Sequence, residues 1–225
     1  MYALINLYDD VQFLAACLES IKSFVSHIVV ADGAYALYFE EYKKSFPAAA
    51  PWSTDGSLEV VKALKDMPDL TILSREGPWE NQVVKRNALV EDVPDDEWFM
   101  IIDADEGLIM DVERGFTEIE SSGCVCARVP LINLGASMSR MQYFWHPRFF
   151  RKMPGMHYGD THWKLRDKFN RIIEDCYPIW WTDAMVMVHY KLLKDPRRVQ
   201  PHHAYMNKLS YRGWMEPENK EVKIA

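Results

Sequence analysis

Two aspartates, Asp103 and Asp105, directly follow the apolar run Phe99–Ile102, and a third acid, Glu106, comes next. Carboxylates this close to one another repel unless a positive charge neutralises them. A hard divalent cation is the usual solution, and Mg²⁺ takes one or two carboxylates together with substrate phosphates. The pattern therefore predicts a metal site that handles phosphate groups. An ordinary acidic surface loop is the alternative reading of two aspartates alone.

Two further aspartates follow apolar, strand-like runs in the same way. Asp9 comes after Tyr2–Leu7, and Asp32 comes after Ser26–Ala31. Ligands of open α/β sheets bind outside the carboxyl ends of the strands. The recurrence of an acid at each strand end is thus the first indication of function rather than fold.

The elements that must position these acids alternate along the first half of the chain. Such alternation of strand and helix predicts a parallel sheet with right-handed crossovers. The predicted strands are Tyr2–Leu7, Ser26–Ala31, Leu70–Leu73 and Trp98–Ile102, and the predicted helices are Val11–Phe24, Leu58–Leu64 and Glu80–Val90.

The segment Ala34–Pro51 interrupts this alternation. Its part Tyr35–Phe46 is predicted as a short helix, and the whole segment as an insertion over the strand ends, where it acts as a lid or is a surface excursion without function. In the second half, strands are predicted at Cys124–Leu131 and Ala184–Tyr190, and a final helix at Pro201–Leu209.

Several motifs together resemble the family-2-type glycosyltransferases of the GT-A fold, in the order in which that family has them. The resemblance covers roughly residues 3–110 and continues weakly to about 195. The motifs are Ile5–Asp10, His27–Gly33, Ser53–Ser57, Arg86–Leu89, Asp103–Glu106 and, less closely, Pro147–Lys152 with His157–His162.

The resemblance implies an α/β, GT-A-like fold: a mostly parallel central sheet flanked by helices, as in nucleotide-diphospho-sugar transferases. It implies one such domain over residues 1–195, with the nucleotide-sugar half at 1–110 and the acceptor half at 111–195, followed by a C-terminal helix or tail at 196–225. The implied activity is metal-dependent transfer of a sugar from a nucleoside-diphosphate sugar to an acceptor hydroxyl.

The resemblance also implies residue roles. Asp32 would contact the base or ribose, Asp103 would lie near the ribose, and Arg86 would reach phosphate or sugar. The nucleotide-sugar site would comprise Leu7, Asp9, Asp32, Asp55, Arg86, Asp103 and Ala104. Two of these have a plain structural alternative: Asp55 as a helix N-cap, and Arg86 as a salt-bridge partner of Glu91 or Asp103.

Asp105 would ligate Mn²⁺ or Mg²⁺, and His189, at the end of a predicted strand, would be a second ligand or a strand-end histidine with a backbone hydrogen bond. An inverting transfer needs a base for the acceptor hydroxyl. Asp160 is the first candidate and His162 the second. Where the family often has Glu after this His, the chain has Trp163, so a retaining mechanism without a protein base stays open.

Two other functions remain open. A nucleotidyl- or phosphotransferase uses the same carboxylate–metal chemistry, although no basic Gly-rich loop occurs early in the chain. A nucleotide-sugar-fold module that has lost catalysis and only binds a partner is the rival from another class. Trp163 at the family's Glu position is the feature that favours this rival.

Composition excludes several classes. With 225 residues, 48% hydrophobic and 26% charged, the chain is neither disordered nor fibrous. No apolar run approaches the ~20 residues of a spanning helix, and the N-terminus lacks a signal-peptide pattern. Four cysteines without a Cys-x-x-Cys motif favour a reducing compartment. We therefore expect a soluble, cytoplasmic enzyme.

Charge is distributed unevenly along the chain. Residues 1–120 hold 24 acidic and 9 basic side chains, residues 121–225 hold 9 and 17, and the net charge is −7. The asymmetry indicates a metal-binding side and an anion-facing side, or simply two solvated faces. The acceptor could then be a lipopolysaccharide or other glycan, or a modified nucleic-acid base, although the total charge disfavours strong non-specific DNA binding.

Overall fold

The computed structural model describes residues 1–63, 69–134, 143–194 and 196–211. The strands are β1 (Tyr2–Leu7), β2 (His27–Asp32), β3 (Asp69–Leu73), β4 (Trp98–Asp103), β5 (Glu106–Met110), β6 (Cys126–Asn133), β7 (Tyr143–Arg151), β8 (His157–Tyr158), β9 (Leu165–Arg166), β10 (Ile179–Trp181) and β11 (Met185–His189). The helices are α1 (Val11–Ile21), α2 (Ala36–Ser45), α3 (Ser57–Ala63), α4 (Gln82–Glu91), α5 (Val112–Ser121), α6 (Ile173–Cys176) and α7 (Pro196–Tyr211), and Lys191–Leu193 form a 3-10 helix.

The central strands are apolar over almost their whole length because helices cover both faces of the sheet. β1, β2 and β4 are almost entirely buried, as expected for parallel strands. On one face α1 packs with Leu14, Cys17 and Leu18 towards the core. On the other face Leu89 and Val90 of α4 fill the second core cluster.

The sheet is mixed, which corrects the expectation of a mostly parallel one. Within the described ranges the sheet has nine strands. Eight of them follow the order β3-β2-β1-β4-β7-β6-β11-β5, and the ninth, β10, pairs with β6. The strands β3, β2, β1 and β4 are parallel. β7 then lies antiparallel to both β4 and β6, and β5 lies antiparallel to β11.

The reason for the difference lies in two strands that the sequence pattern did not reveal. β7 carries Trp, His, Pro and two Arg among its aromatic residues, so neither period-2 alternation nor a plain apolar run marks it. β5 begins only a short turn after β4 ends and pairs with the distant β11. All the strands predicted in the first half are present, with ends shifted by one residue at most.

The segment after β2 forms α2, as predicted, and this helix packs against α7. Tyr35 stacks on Tyr205 with ring centroids 6.1 Å apart, and Lys208 forms an ion pair with Glu41. Of the C-terminal helix or tail expected at 196–225, residues 196–211 form α7, which lies over the carboxyl ends of the strands together with the segment after β2. Residues 212–225 lie outside the described residues. None of the helices in the described ranges combines the length and apolar composition that crossing a bilayer requires.

Gly33 marks the turn between β2 and α2, and its backbone leaves no room for a side chain. Its φ is +112°, and a Cβ atom there would lie 2.9 Å from the Pro51 carbonyl oxygen. Gly56 has a similar φ of +91°, but a Cβ atom at Gly56 would meet nothing within 4 Å. A side chain at Gly33 would therefore meet both backbone strain and steric overlap, whereas one at Gly56 would meet backbone strain alone.

We expect Gly33→Ala to lower the free energy of unfolding by at least about 1 kcal/mol more than Gly56→Ala does. Both variants carry the cost of a left-handed backbone, but only the first must also displace a backbone carbonyl. Urea denaturation of the two variants beside the unchanged protein measures the difference. Equal losses would show that the contact with Pro51 imposes no constraint.

Candidate functional site

A cavity of about 340 Å³ opens at the carboxyl ends of β1, β2 and β4. Residues from β1, the β2–α2 turn, α4, the β4–β5 turn, the end of β11 and α7 line it. This position is where ligands bind in open α/β sheets, and the volume lies in the usual range for small-molecule sites. The acids at the ends of β1 and β4, namely Asp9, Asp10, Asp103 and Asp105, all line the cavity.

The β4–β5 turn crowds three acids into four residues, and each has a cationic partner from another element. Asp103 accepts a hydrogen bond from Arg86 of α4 at 3.1 Å. Glu106 forms an ion pair with Arg148 of β7 and accepts from the Asp103 backbone N–H at 2.9 Å. Burial raises the pKa of Glu106 to about 7, although Arg148 opposes this shift. Glu106 does not line the cavity. It stabilises the turn through its contacts with the Asp103 backbone and Arg148.

Asp105 has two cationic partners on a single oxygen. Its Oδ2 lies 3.1 Å from Nε2 of His189 and 2.9 Å from Nζ of Lys194. Burial would raise the pKa of Asp105, but the hydrogen bond from His189 and the charge of Lys194 hold it well below its usual range. The carboxylate is ionised and its charge is already neutralised by the protein.

His189 lies between two oxygen acceptors. Its Nδ1 is 2.9 Å from Oδ1 of Asn133, and its Nε2 faces Asp105. With the Asn133 oxygen in that orientation, both ring nitrogens donate, which requires the imidazolium form. Burial opposes that charge, but Asp105 outweighs it and raises the pKa of His189.

Lys194 connects the ends of β1 and β4. Its ammonium group lies 2.7 Å from Oδ2 of Asp10 as well as 2.9 Å from Asp105. The Lys194 side chain is 16% exposed, Asp10 is 18% exposed and Asp105 is 8% exposed. A cation is thus held between two carboxylates at the strand ends, and it is supplied by the segment that leads into α7.

These residues do not fit a divalent ion as they are arranged. A metal bound to Oδ2 of Asp105 would lie beside the Lys194 ammonium, and Nε2 of His189 donates a proton to that oxygen instead of offering a lone pair. Within the described ranges, no three His, Cys, Asp or Glu side chains come together as a metal-binding group. The expected roles of Asp105 and His189 as metal ligands therefore stay predictions from the sequence.

Lys85 is the largest completely buried side chain of the site. Its Nζ donates to the carbonyl oxygens of Leu7, at 2.8 Å, and Gly33. It therefore joins the end of β1 to the turn after β2. Burial lowers the pKa of Lys85 to about 7, and the charge of Asp32 limits that shift.

One wall of the cavity is made of tyrosines, which we call the tyrosine wall: Tyr8, Tyr35, Tyr38, Tyr42 and Tyr205. Tyr8 meets Tyr38 and Tyr42 edge to face, with ring centroids 6.1 and 5.1 Å apart. Four of the five tyrosines come from the end of β1 and the segment after β2, and the last comes from α7. Such rings offer flat faces for stacking and hydroxyl groups for hydrogen bonds.

Two side-chain oxygens in the lining are left without a partner. Among the described residues, Oδ1 of Asn6 and Oε1 of Gln82 are buried and accept no hydrogen bond. Buried polar atoms in native proteins almost always have partners, and an orphan needs an explanation. A ligand with N–H or O–H groups in the cavity would supply one.

The two candidate bases lie in different surroundings. His162 lines the cavity, and burial together with the charge of Arg86 lowers its pKa to about 3. Asp160 is 90% exposed, lies 3.5 Å from Arg166 and does not line the cavity. Only His162 is thus in reach of a ligand held inside.

Four other predicted site residues are not part of the cavity lining. Asp32 is buried and accepts hydrogen bonds from the backbone and hydroxyl of Ser53. Asp55 accepts from the backbone N–H of Val11 and from Ser57, which is its structural alternative at the N-termini of two helices. Leu7 contributes its carbonyl group, and Ala104 is buried.

Sequence reasoning missed the lysines and the aromatic rings of the cavity. Lys85, Lys191 and Lys194 carried no motif, and a lysine in an amphipathic helix is ordinarily exposed. The tyrosines Tyr35, Tyr38 and Tyr42 had a signal, since they recur through the segment after β2. The aromatic content of that segment, rather than its length, was the clue to its position over the site.

No protein-family model matches the chain, and no curated protein matches it. Among solved structures, the chain is similar to residues 1–349 of S. aureus TarS, with a TM-score of 0.47 and 13% identity over 60% of this chain and 36% of that one. The same TarS fragment in complex with UDP gives a TM-score of 0.46, 13% identity and coverages of 60% and 37%. HddC from Yersinia pseudotuberculosis gives 0.44 and 9% identity over 92% of this chain and 99% of that one.

The chain thus spans a little over a third of the length of the TarS fragment.

The buried ammonium of Lys85 predicts a specific dependence of stability on pH. Its pKa is lowered on folding from 10.5 to about 7, so between these values the unfolded state binds more protons. The cost of burying the charge is complete below pH 7 and is relieved as pH rises towards 10.5. From about pH 7 to about pH 9 we expect the free energy of unfolding of the unchanged protein to gain about 2 kcal/mol relative to Lys85→Met.

Urea denaturation of both proteins at about pH 7, 8 and 9 gives this difference of differences, in which other titrating groups cancel. A constant difference over this range would mean that Lys85 keeps an ordinary pKa in the folded state.

Proposed function

We propose that the chain transfers a sugar from a nucleoside-diphosphate sugar to an acceptor hydroxyl. The observation that carries this proposal is the composition of one cavity, in which the tyrosine wall faces a set of paired cations and carboxylates at the strand ends. A nucleoside diphosphate has the matching parts, namely a flat base, an anionic diphosphate and hydroxyl groups. The sequence motifs that resemble family-2-type glycosyltransferases point to the same class of donor.

Charge in the cavity favours an anion of this kind. Lys85, Arg86, His189, Lys191 and Lys194 bring positive charge to a lining whose acids are Asp9, Asp10, Asp103 and Asp105. Lysine and arginine side chains bind phosphate oxygens through charge-assisted hydrogen bonds. Arg86, His189 and Lys194 are themselves paired with Asp103 and Asp105, so they would bind the diphosphate through N–H groups that these pairs leave unused.

Polar groups deeper in the lining suit a base or a sugar. The orphan oxygens of Asn6 and Gln82 can accept hydrogen bonds from N–H or O–H groups. The ion pair between Arg86 and Asp103 offers both a donor and an acceptor to vicinal hydroxyls. His162 lies near this pair, since the charges of both residues act on its pKa.

In the proposed reaction, the acceptor oxygen forms a bond to the anomeric carbon of the sugar while the bond from that carbon to the diphosphate oxygen breaks. The electron pair of the broken bond leaves with the diphosphate, whose developing charge the cavity cations stabilise. The acceptor proton passes to Nδ1 or Nε2 of His162. Because burial lowers the pKa of His162, its imidazole is neutral at physiological pH and has a free nitrogen lone pair to accept the proton.

His162 takes precedence over Asp160 in this proposal because it lines the cavity. Asp160 would serve as the base only for an acceptor that meets the donor outside the cavity. The Mn²⁺ or Mg²⁺ ion predicted at Asp105 has no part in this reaction, because His189 and Lys194 occupy the Oδ2 atom of Asp105.

The donor class predicts which ligands bind and which side chains matter. A ligand that binds only the native state raises thermal stability by mass action. We expect one of UDP, GDP, CDP or ADP to raise the melting temperature more than inorganic pyrophosphate does, because the tyrosine wall contacts the base. Tyr38→Leu should weaken that nucleotide by about tenfold and leave pyrophosphate unchanged.

Tyr2→Leu is the matched control, since Tyr2 stacks on His27 at the opposite ends of β1 and β2. It should bind the nucleotide as the unchanged protein does. Equal stabilisation by pyrophosphate and by every nucleotide would rule out base recognition. No stabilisation by any of them would favour the rival class, a nucleotide-sugar-fold module that has lost catalysis and only binds a partner.

A second prediction separates the two candidate bases. The substrates are sugar nucleotides that carry the nucleobase found to bind. With them, His162→Phe should lower the rate of nucleoside-diphosphate release by about 10²-fold or more, the usual contribution of a general base. Its affinity for the nucleoside diphosphate should stay within a factor of about 3. Asp160→Asn should retain the original rate. The opposite pattern would transfer the role of base to Asp160.

A further inference from the structure

We propose that Lys194 is the protein's own cation at the strand ends, in the place where a divalent ion would otherwise be held, and that donor binding therefore needs no metal. This inference rests on the proposed function for its donor class. Its core, the identity of the cation between Asp10 and Asp105, can be tested without any nucleotide.

The geometry of Lys194 is that of a bound cation rather than of a solvated surface lysine. Its Nζ lies 2.7 Å from one carboxylate and 2.9 Å from another, and these carboxylates come from different strand ends. The side chain is largely buried, so the ion pairs are poorly screened by solvent. A buried charge is costly unless it is paired, and here two acids supply the pairing.

The acids near Lys194 are already paired with cations of the protein. The three acids of the β4–β5 turn each have a protein cation: Arg86 for Asp103, Lys194 and His189 for Asp105, and Arg148 for Glu106. The repulsion that would make a divalent ion necessary is thus already relieved. A metal at Asp105 would have to displace an ammonium group and break the hydrogen bond from His189.

Lys194 also has the position to act on the donor. It lines the cavity together with Lys191 and Arg86, so its third N–H group can reach an anion there while two carboxylates hold it. An ammonium group with three donors can serve both sides at once. Lys194 would thus bind the diphosphate directly and stabilise its charge as it leaves.

The proposal predicts that removing Lys194 creates a metal requirement. In Lys194→Met, Asp10 and Asp105 lose their shared cation, and carboxylate oxygens are suitable ligands for Mn²⁺. The variant should therefore bind Mn²⁺, which the unchanged protein should not do. Lys194→Arg keeps the positive charge and should therefore not bind Mn²⁺. Lys22→Met is the control for loss of a positive charge, since Lys22 pairs with Glu19 at the end of α1.

The experiment has two readouts on these four proteins. The first is electron paramagnetic resonance of MnCl₂, whose free-ion signal disappears on binding. The second is isothermal titration with UDP, GDP, CDP and ADP, each in excess EDTA and in excess MnCl₂. We expect equal affinity of the unchanged protein in both buffers, and a loss of at least about tenfold for Lys194→Met in EDTA, part of which MnCl₂ restores.

Three results would contradict the proposal: binding of Mn²⁺ by the unchanged protein, loss of its nucleotide binding in EDTA, or unaltered nucleotide affinity of Lys194→Met. If no nucleotide binds any of the proteins, the proposed function fails. The Mn²⁺ signal then still tests whether Lys194 takes the place of a divalent ion, because the comparison of the unchanged protein with Lys194→Met requires no nucleotide.

Discussion

Three acidic side chains within four residues meet where β4 turns into β5, and the cavity depends on the cations that neutralise them. Asp103, Asp105 and Glu106 could not share so small a volume as unpaired charges. Arg86 from α4, Arg148 from β7 and Lys194 from the segment before α7 each reach one of them. Three parts of the chain that are distant in sequence are thereby fixed to one turn.

The same pairing organises the space around the turn. Lys194 draws the end of β1 to the end of β4, and Lys85 joins the β1 end to the turn after β2 through backbone carbonyl groups. The tyrosine wall then closes the open side, with α7 held on α2 and its N-terminal turn by Tyr205 and Lys208. These contacts place charged groups on one side of the cavity and aromatic rings on another, and this is the arrangement for which we propose a nucleoside diphosphate as the ligand.

Sequence patterns predicted the first half of the fold well because β1, β2 and β4 are almost entirely buried and its helices are amphipathic. They also identified Asp9, Asp103, Asp105 and Arg86, which do meet in one cavity. They predicted a mostly parallel sheet wrongly, because β7 has no regular alternation and β5 pairs with a strand that is remote in sequence. Local periodicity contains no information about such long-range pairing.

The cationic partners of these acids could not be predicted from the sequence either, because they come from distant parts of the chain. Repulsion between Asp103 and Asp105 led to the prediction of a divalent metal ion, which stays a prediction. The structure pairs Asp105 with the Lys194 ammonium, and this contact depends on the tertiary structure. Lys194 follows Asp105 by 89 positions and belongs to no recognisable motif. The metal expected from the sequence and the ammonium group in the structure are two answers to the same electrostatic requirement.

The most direct test of this account is a crystal structure of the protein grown with the nucleoside diphosphate that binds it most tightly, in the presence of EDTA. The account predicts the base against Tyr8 and Tyr38, and the diphosphate within hydrogen-bond distance of Lys194, with Asp10 and Asp105 still paired to that lysine. A nucleotide bound elsewhere on the molecule, or a diphosphate in the cavity that does not contact Lys194, would contradict it.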